Sequence, residues 1–204
     1  MSHTMSQPAE PSLRNRQREL TRRLLIDAFA EVILRDGIHG ISMQTVADEA
    51  GCSLRTLYRH YPSREALLTG LDDEMRAFIA SCFDRLPPIA DEDFVVFVEL
   101  ITPLIVERRD LVKAWVTADL ASPVRDVISG RVRGLLDAAI SDAAPSLSPI
   151  ERARAFAGIR LVVNSRSWIA LTDHMNAEDA AATAAWIVRT LLADLASGGG
   201  PKAE

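Results

Sequence analysis

The chain has 204 residues, 48% apolar and 25% charged, proportions that suit a protein with a buried core and exclude disorder as the default state. Apolar runs such as Phe94 to Val98 meet charge well short of the roughly 20 residues a bilayer span needs. The opening Met1-Ser2-His3-Thr4 lacks the apolar stretch of a signal peptide, so a cytoplasmic protein without membrane contact is expected, and the net charge of −5 argues at first sight against a polyanion partner.

In chain order, the polar start with Pro8 and Pro11 reads as a flexible arm, taken as 1–17. A first helix is expected from about Arg18 to Asp36, with Leu25, Phe29, Val32 and Ile33 on one stripe and Gly37 as its stop. Ser42 caps a short second helix in which Met43, Val46, Ala47 and Ala50 recur at helical spacing, and Gly51 ends it. Ser53 caps a third, where Leu57 and Tyr61 share a face. Pro62-Ser63 then breaks the chain before a long fourth helix carrying Leu67, Leu71, Met75, Phe78, Cys82 and Leu86.

Beyond Pro87-Pro88, helices are expected at about Asp91 to Glu107, Asp110 to Leu120, Pro123 to Ser141, Pro149 to Leu171 and Ala177 to Ala196, before a frayed tail at 197–204. Pro103 is expected to bend the first of these. No sustained period-two alternation appears, so the class is all-α, with about nine helices. The organisation is an arm, a helix-turn-helix domain at 18–66, a helical body at 67–196 and the tail.

From Ile41 to Tyr61 the pattern is short helix, glycine turn, short helix, the spacing of a helix-turn-helix. Helices this short must pack to persist, and Val46, Ala47, Cys52, Leu57 and Tyr61 supply the apolar faces. Turning these inward sends Ser53, Arg55, Thr56, Tyr58, Arg59 and His60 outward, a row of hydrogen-bond donors suited to a major groove and its phosphates. Each has a plainer reading: Tyr58 as a packing residue, His60 as a helix terminus. Arg14, Arg16 and Arg18 form either an arm toward phosphates or the minor groove, or a solvated charge run. The charge distribution permits such a partner. Through Gly70 nine Lys/Arg stand against eight Asp/Glu, whereas from Leu71 onward 14 stand against 20.

The stretch Thr21 to Leu68 resembles the DNA-binding domain of the TetR family of transcriptional regulators. The likeness is carried by Gly37, Ser42, Val46-Ala47, Ala50-Gly51, Thr56-Leu57-Tyr58, His60-Tyr61 and Glu65-Ala66-Leu67, over about a quarter of the chain. It implies that the third helix is the recognition helix, contacting DNA through Arg55, Thr56, Tyr58, Arg59 and His60. It also places Ser42, Gln44 and Thr45 near the groove and Arg64 on a phosphate. Leu54 departs from the polar residue frequent in the family; it either touches a thymine methyl or turns inward.

The TetR-like body further implies a cavity for a small-molecule effector, with Phe97, Glu99, Trp115, Asn164 and Trp168 as wall candidates. The last two helices are apolar on more than one face, which predicts a homodimer through a four-helix bundle, with Phe156, Ile159, Val163, Ile187 and Leu191 at the interface. An enzyme finds little support: the four histidines are scattered, and no zinc-protease, nucleophile-elbow or phosphate-loop motif is present. No metal or cofactor is expected, and Cys52 and Cys82 read as small apolar residues. A DNA-binding protein without sequence preference is the remaining alternative; the acidic body disfavours it.

Overall fold

The computed structural model describes residues 12–90, 93–118 and 123–201, with side chains except at 123–129. Of the arm expected at 1–17, residues 1–11 lie outside the described residues and 13–17 are helical instead; of the tail expected at 197–204, residues 202–204 lie outside them. Among the described residues, ten α-helices and one 3-10 turn make up the regular structure and there is no strand, as the all-α expectation requires. The chain divides into two compact units, 1–70 and 71–204.

The first unit begins with α1 (Leu13–Asp36), five residues earlier than the apolar stripe alone suggests. Ser12 accounts for the difference: its hydroxyl accepts a hydrogen bond from the Asn15 amide and caps the helix. The core begins only at Leu25, and Leu25, Ile26, Phe29, Val32 and Ile33 face inward. Gly37, at φ 72°, stops α1 and donates its amide to the Ile33 carbonyl. The 3-10 turn (Ile38–Gly40) leads into α2 (Met43–Glu49), and α3 (Leu54–His60) follows. α4 (Arg64–Asp84) starts in this unit, where it packs tightly. A Cβ on Gly70 would lie 2.6 Å from the Tyr61 ring and 2.9 Å from Ile26.

In the second unit, α5 (Phe94–Val106) is the central element, packed chiefly along α10 (Ala177–Ala196). It runs on through Pro103, and the buried Thr102 hydroxyl bonds the Val98 carbonyl at 2.7 Å. α6 (Arg109–Thr117) rests on α9 (Ser165–Thr172), while α7 (Pro123–Ala143) and α8 (Pro149–Val162) pack together. The stretch 149–171, read above as one helix, is therefore two. The apolar period continues across the break, but the Asn164 side chain accepts from the amides of Arg166 (2.9 Å) and Ser167 (3.0 Å) and starts a new helix. Among the described residues, no helix is long and apolar enough to cross a membrane.

Candidate nucleic-acid interface

The turn between α2 and α3 is set by Gly51 and Cys52. Gly51 takes φ 61° and donates to the Asp48 carbonyl (3.1 Å), and the Cys52 amide reaches back to the Ala47 carbonyl (3.0 Å). This paired closure satisfies carbonyls that the helix end would leave open, and it needs a residue tolerant of positive φ. Val46, Ala47 and Leu57 are fully buried, and Tyr61 closes the base with its hydroxyl 3.4 Å from the Arg22 carbonyl. The Arg22 guanidinium lies over the same ring at 4.8 Å. Arg35, bonded to Glu49, ties the end of α1 to α2.

With that base fixed, α3 turns Ser53, Arg55, Tyr58 and Arg59 to solvent, and Tyr58 is 45% exposed. Among the described residues, Arg55, Tyr58 and Arg59 have no hydrogen-bond or ion-pair partner. The hydroxyls are already engaged. Ser53 accepts from the Thr56 amide (3.1 Å) and meets the Thr56 hydroxyl at 2.9 Å. Ser42 and Thr45 repeat this at 3.0 Å and 2.7 Å on α2, where Gln44 donates to Asp48. Leu54 is half-buried.

His60 is half-buried with Nδ1 enclosed, and its pKa lies below the ordinary histidine value through burial, then the charges of Arg59, Arg18 and Arg22. Arg64 stands apart from the row: half-buried, it donates to the Ile38 carbonyl and fastens the 3-10 turn to α4.

The unit thus presents two capped short helices, α2 and α3, with a bare cationic face on the second. Residues 25–71 fit the family model of bacterial regulatory proteins, tetR family. Over that stretch the chain is similar to the TetR family. The chain is also similar to two Mycobacterium tuberculosis proteins, the uncharacterized HTH-type transcriptional regulators Rv1255c (strain H37Rv) and MT1294 (strain CDC 1551). Each is 29% identical over 118 residues, which is 57% of this chain and 58% of the relative's length.

Among solved structures, the TetR-family regulator PfmR from Thermus thermophilus aligns with a TM-score of 0.61 at 19% identity, covering 83% of this chain and 97% of that one. Salmonella enterica GusR aligns at 0.54 and 22% identity, covering 87% and 96%. At these identities the likeness extends to the fold alone.

In the second unit, Phe97 lines an open cavity of about 550 Å³ with Phe83, Leu86 and Arg131, and Gly130 and Gly134 form one wall. The other four proposed wall residues do not line it. Glu99 accepts from Arg189 at 2.8 Å, Trp115 is buried with its indole N–H donating to Asp72 (2.9 Å), Asn164 caps α9, and Trp168 is buried. The expected interface residues differ in exposure. Ile159 (1% exposed) and Val163 (3%) are buried within the single chain. Phe156 and Ile187 are half-buried, and Leu191 is exposed. The outward apolar surface of α8 and α10 is instead carried by Ile150, Leu161 and Trp186, the last 62% exposed. Cys52 is half-buried; Cys82 is buried, and that burial pushes its thiol pKa up.

Proposed function

We propose that this chain is a cytoplasmic transcriptional regulator and not an enzyme, one that binds an operator as a homodimer and is released from it by a small molecule. The observation that carries the reading is the bare row Arg55, Tyr58 and Arg59 on α3, exposed while Leu57 and Tyr61 of the same helix turn are buried. Arginine forks onto guanine O6 and N7, tyrosine reaches phosphate oxygens, and capped helix N-termini suit anions. Pairing through the outward faces of α8 and α10, with Trp186 and Leu161 as apolar anchors, would set two recognition helices about 34 Å apart, one turn of duplex, on a roughly palindromic site. The 550 Å³ cavity of the body has the size and mixed lining of an effector site.

Selection of bound fragments from a random DNA pool tests the DNA reading. Enrichment of a two-fold symmetric sequence, with affinity falling steeply as salt rises, is the expected result; a pool unchanged after repeated rounds overturns it. Compounds that stabilise the protein to heat and release the selected fragment would identify the effector. Equal affinity for selected and scrambled duplex would favour the sequence-indifferent DNA binder instead.

A further inference from the structure

The first three turns of α1 have no core to serve. Every residue from Leu13 to Leu20 is exposed, and burial starts at Leu25. A surface helix without a packed face needs another reason to extend so far, since helices in proteins draw most of their stability from packing. What this extension does have is a neighbour. With the end of α3 it borders an open concavity of about 690 Å³, whose lining includes Arg14, Asn15, Gln17, Arg18, Arg59 and His60. Arg14 and Arg18 stand one turn apart and so share a face. Among the described residues, no carboxylate lines the concavity.

Several arginines elsewhere are paired with carboxylates. Arg85 is forked onto Glu107 at 2.6 Å, Arg108 meets Glu74, Arg109 meets Asp173 and Arg189 meets Glu99. Arg14, Arg18 and Arg59 have no such partner among the described residues. Three guanidinium groups gathered on one concavity repel one another unless an anion joins them, and the charges of Arg18 and Arg59 are also felt at His60. Guanidinium, amide and imidazole donors without carboxylates make a surface for phosphate.

We infer that Arg14 and Arg18, on the extension of α1, form with Arg59 a groove that holds the phosphodiester backbone of DNA beside the segment read by α3. The inference rests on the proposed DNA-binding function. Arg59 belongs to both surfaces, so a strand lying on α3 continues into the groove. The extension of α1 thereby widens the footprint of each half-site and adds affinity without sequence information.

The test uses the full chain and two duplexes, the selected fragment and one of mixed sequence, with affinity measured from about 50 to 200 mM KCl. For the double variant Arg14→Gln/Arg18→Gln, the log–log salt dependence should become shallower by about 1.8, two contacts at about 0.9 each. Affinity for both duplexes should fall by the same factor, at least about tenfold at the lowest salt, with the preference for the selected fragment kept. Arg16→Gln, which does not line the groove, should change the slope by less than half as much. Circular dichroism and melting identify a variant whose helix is lost; if so, Arg14→Lys/Arg18→Lys must retain the wild-type slope.

An unchanged slope in a folded double variant overturns the inference. So does tripolyphosphate that binds through Arg14 and Arg18 while the DNA slope stays the same, which would mark a site for free phosphate. Because the mixed duplex reports phosphate contacts alone, the groove can pass even if no operator is found. Failure of the groove with a clear operator leaves the regulator standing.

Discussion

The two units use the same side chains to opposite ends. In the body, several arginines are matched to carboxylates across helices, as Arg85 with Glu107 and Arg109 with Asp173; the pairs hold helices in place, and exposed pairs of this kind contribute little stability each. In the N-terminal unit Arg35 follows that rule on Glu49, while Arg14, Arg18, Arg55 and Arg59 stand unmatched among the described residues. Net charge therefore says little about polyanion binding in this chain. What matters is which cations have been given an internal partner.

The sharpest way to break the contrast is to remove the apolar peg beneath the cationic row. Leu57→Ala, at a fully buried site, should cost about 2–5 kcal/mol and unfold the first unit at a lower temperature while the body melts as before. Calorimetry resolving the two transitions, together with loss of DNA binding, checks it; a single transition displaced as a whole would mean that the units do not melt separately. Next comes Gly70→Ala. The added methyl has no room against Tyr61 and Ile26, so a loss of about 1–3 kcal/mol is expected, again confined to the first unit. An unaltered melting curve would show that the contact relaxes freely.

On the other unit, Trp186→Glu should leave the body's stability within about 0.5 kcal/mol, as expected of an exposed site, and shift the protein from dimer to monomer in sedimentation. Ile159→Ala should do the reverse, destabilising the fold first. A dimer indifferent to Trp186→Glu would place the pairing surface elsewhere. The smallest effect concerns His60. Its folded pKa is depressed, by burial and then by Arg59, Arg18 and Arg22, so the unfolded chain takes up its proton first as pH falls through about 6.5. Stability of the first unit should thus decline from pH ~7 toward the folded pKa, and less steeply in His60→Gln. Equal slopes for the two proteins would remove His60 from the account.

How much of this could be read from residues differs by unit for a physical reason. The first unit is specified by local chemistry: Ser42, Ser53 and Gly51 each act on amides or carbonyls within a few residues, and their effects are written in the same few positions. Even there, the cap at Ser12 is overshadowed by Pro8 and Pro11, so the helical extension of α1 reads as an arm. The body is specified by who packs against whom. An apolar residue such as Ile159 or Val163 has the same period whether it faces its own chain or a partner. The break before α9 is signalled only by Asn164 followed by Ser165-Arg166-Ser167, within an unbroken apolar rhythm. The cavity depends on space that side chains leave, and its one available sign is the pair Gly130 and Gly134, which share a helical face and have nothing within 4 Å of an added Cβ.

An unmatched guanidinium has no bond to surrender when a phosphate arrives. At the groove on α1, association therefore exchanges water and mobile salt ions only, so capture is governed by the speed of encounter and by ionic strength, without a preceding rearrangement of the head.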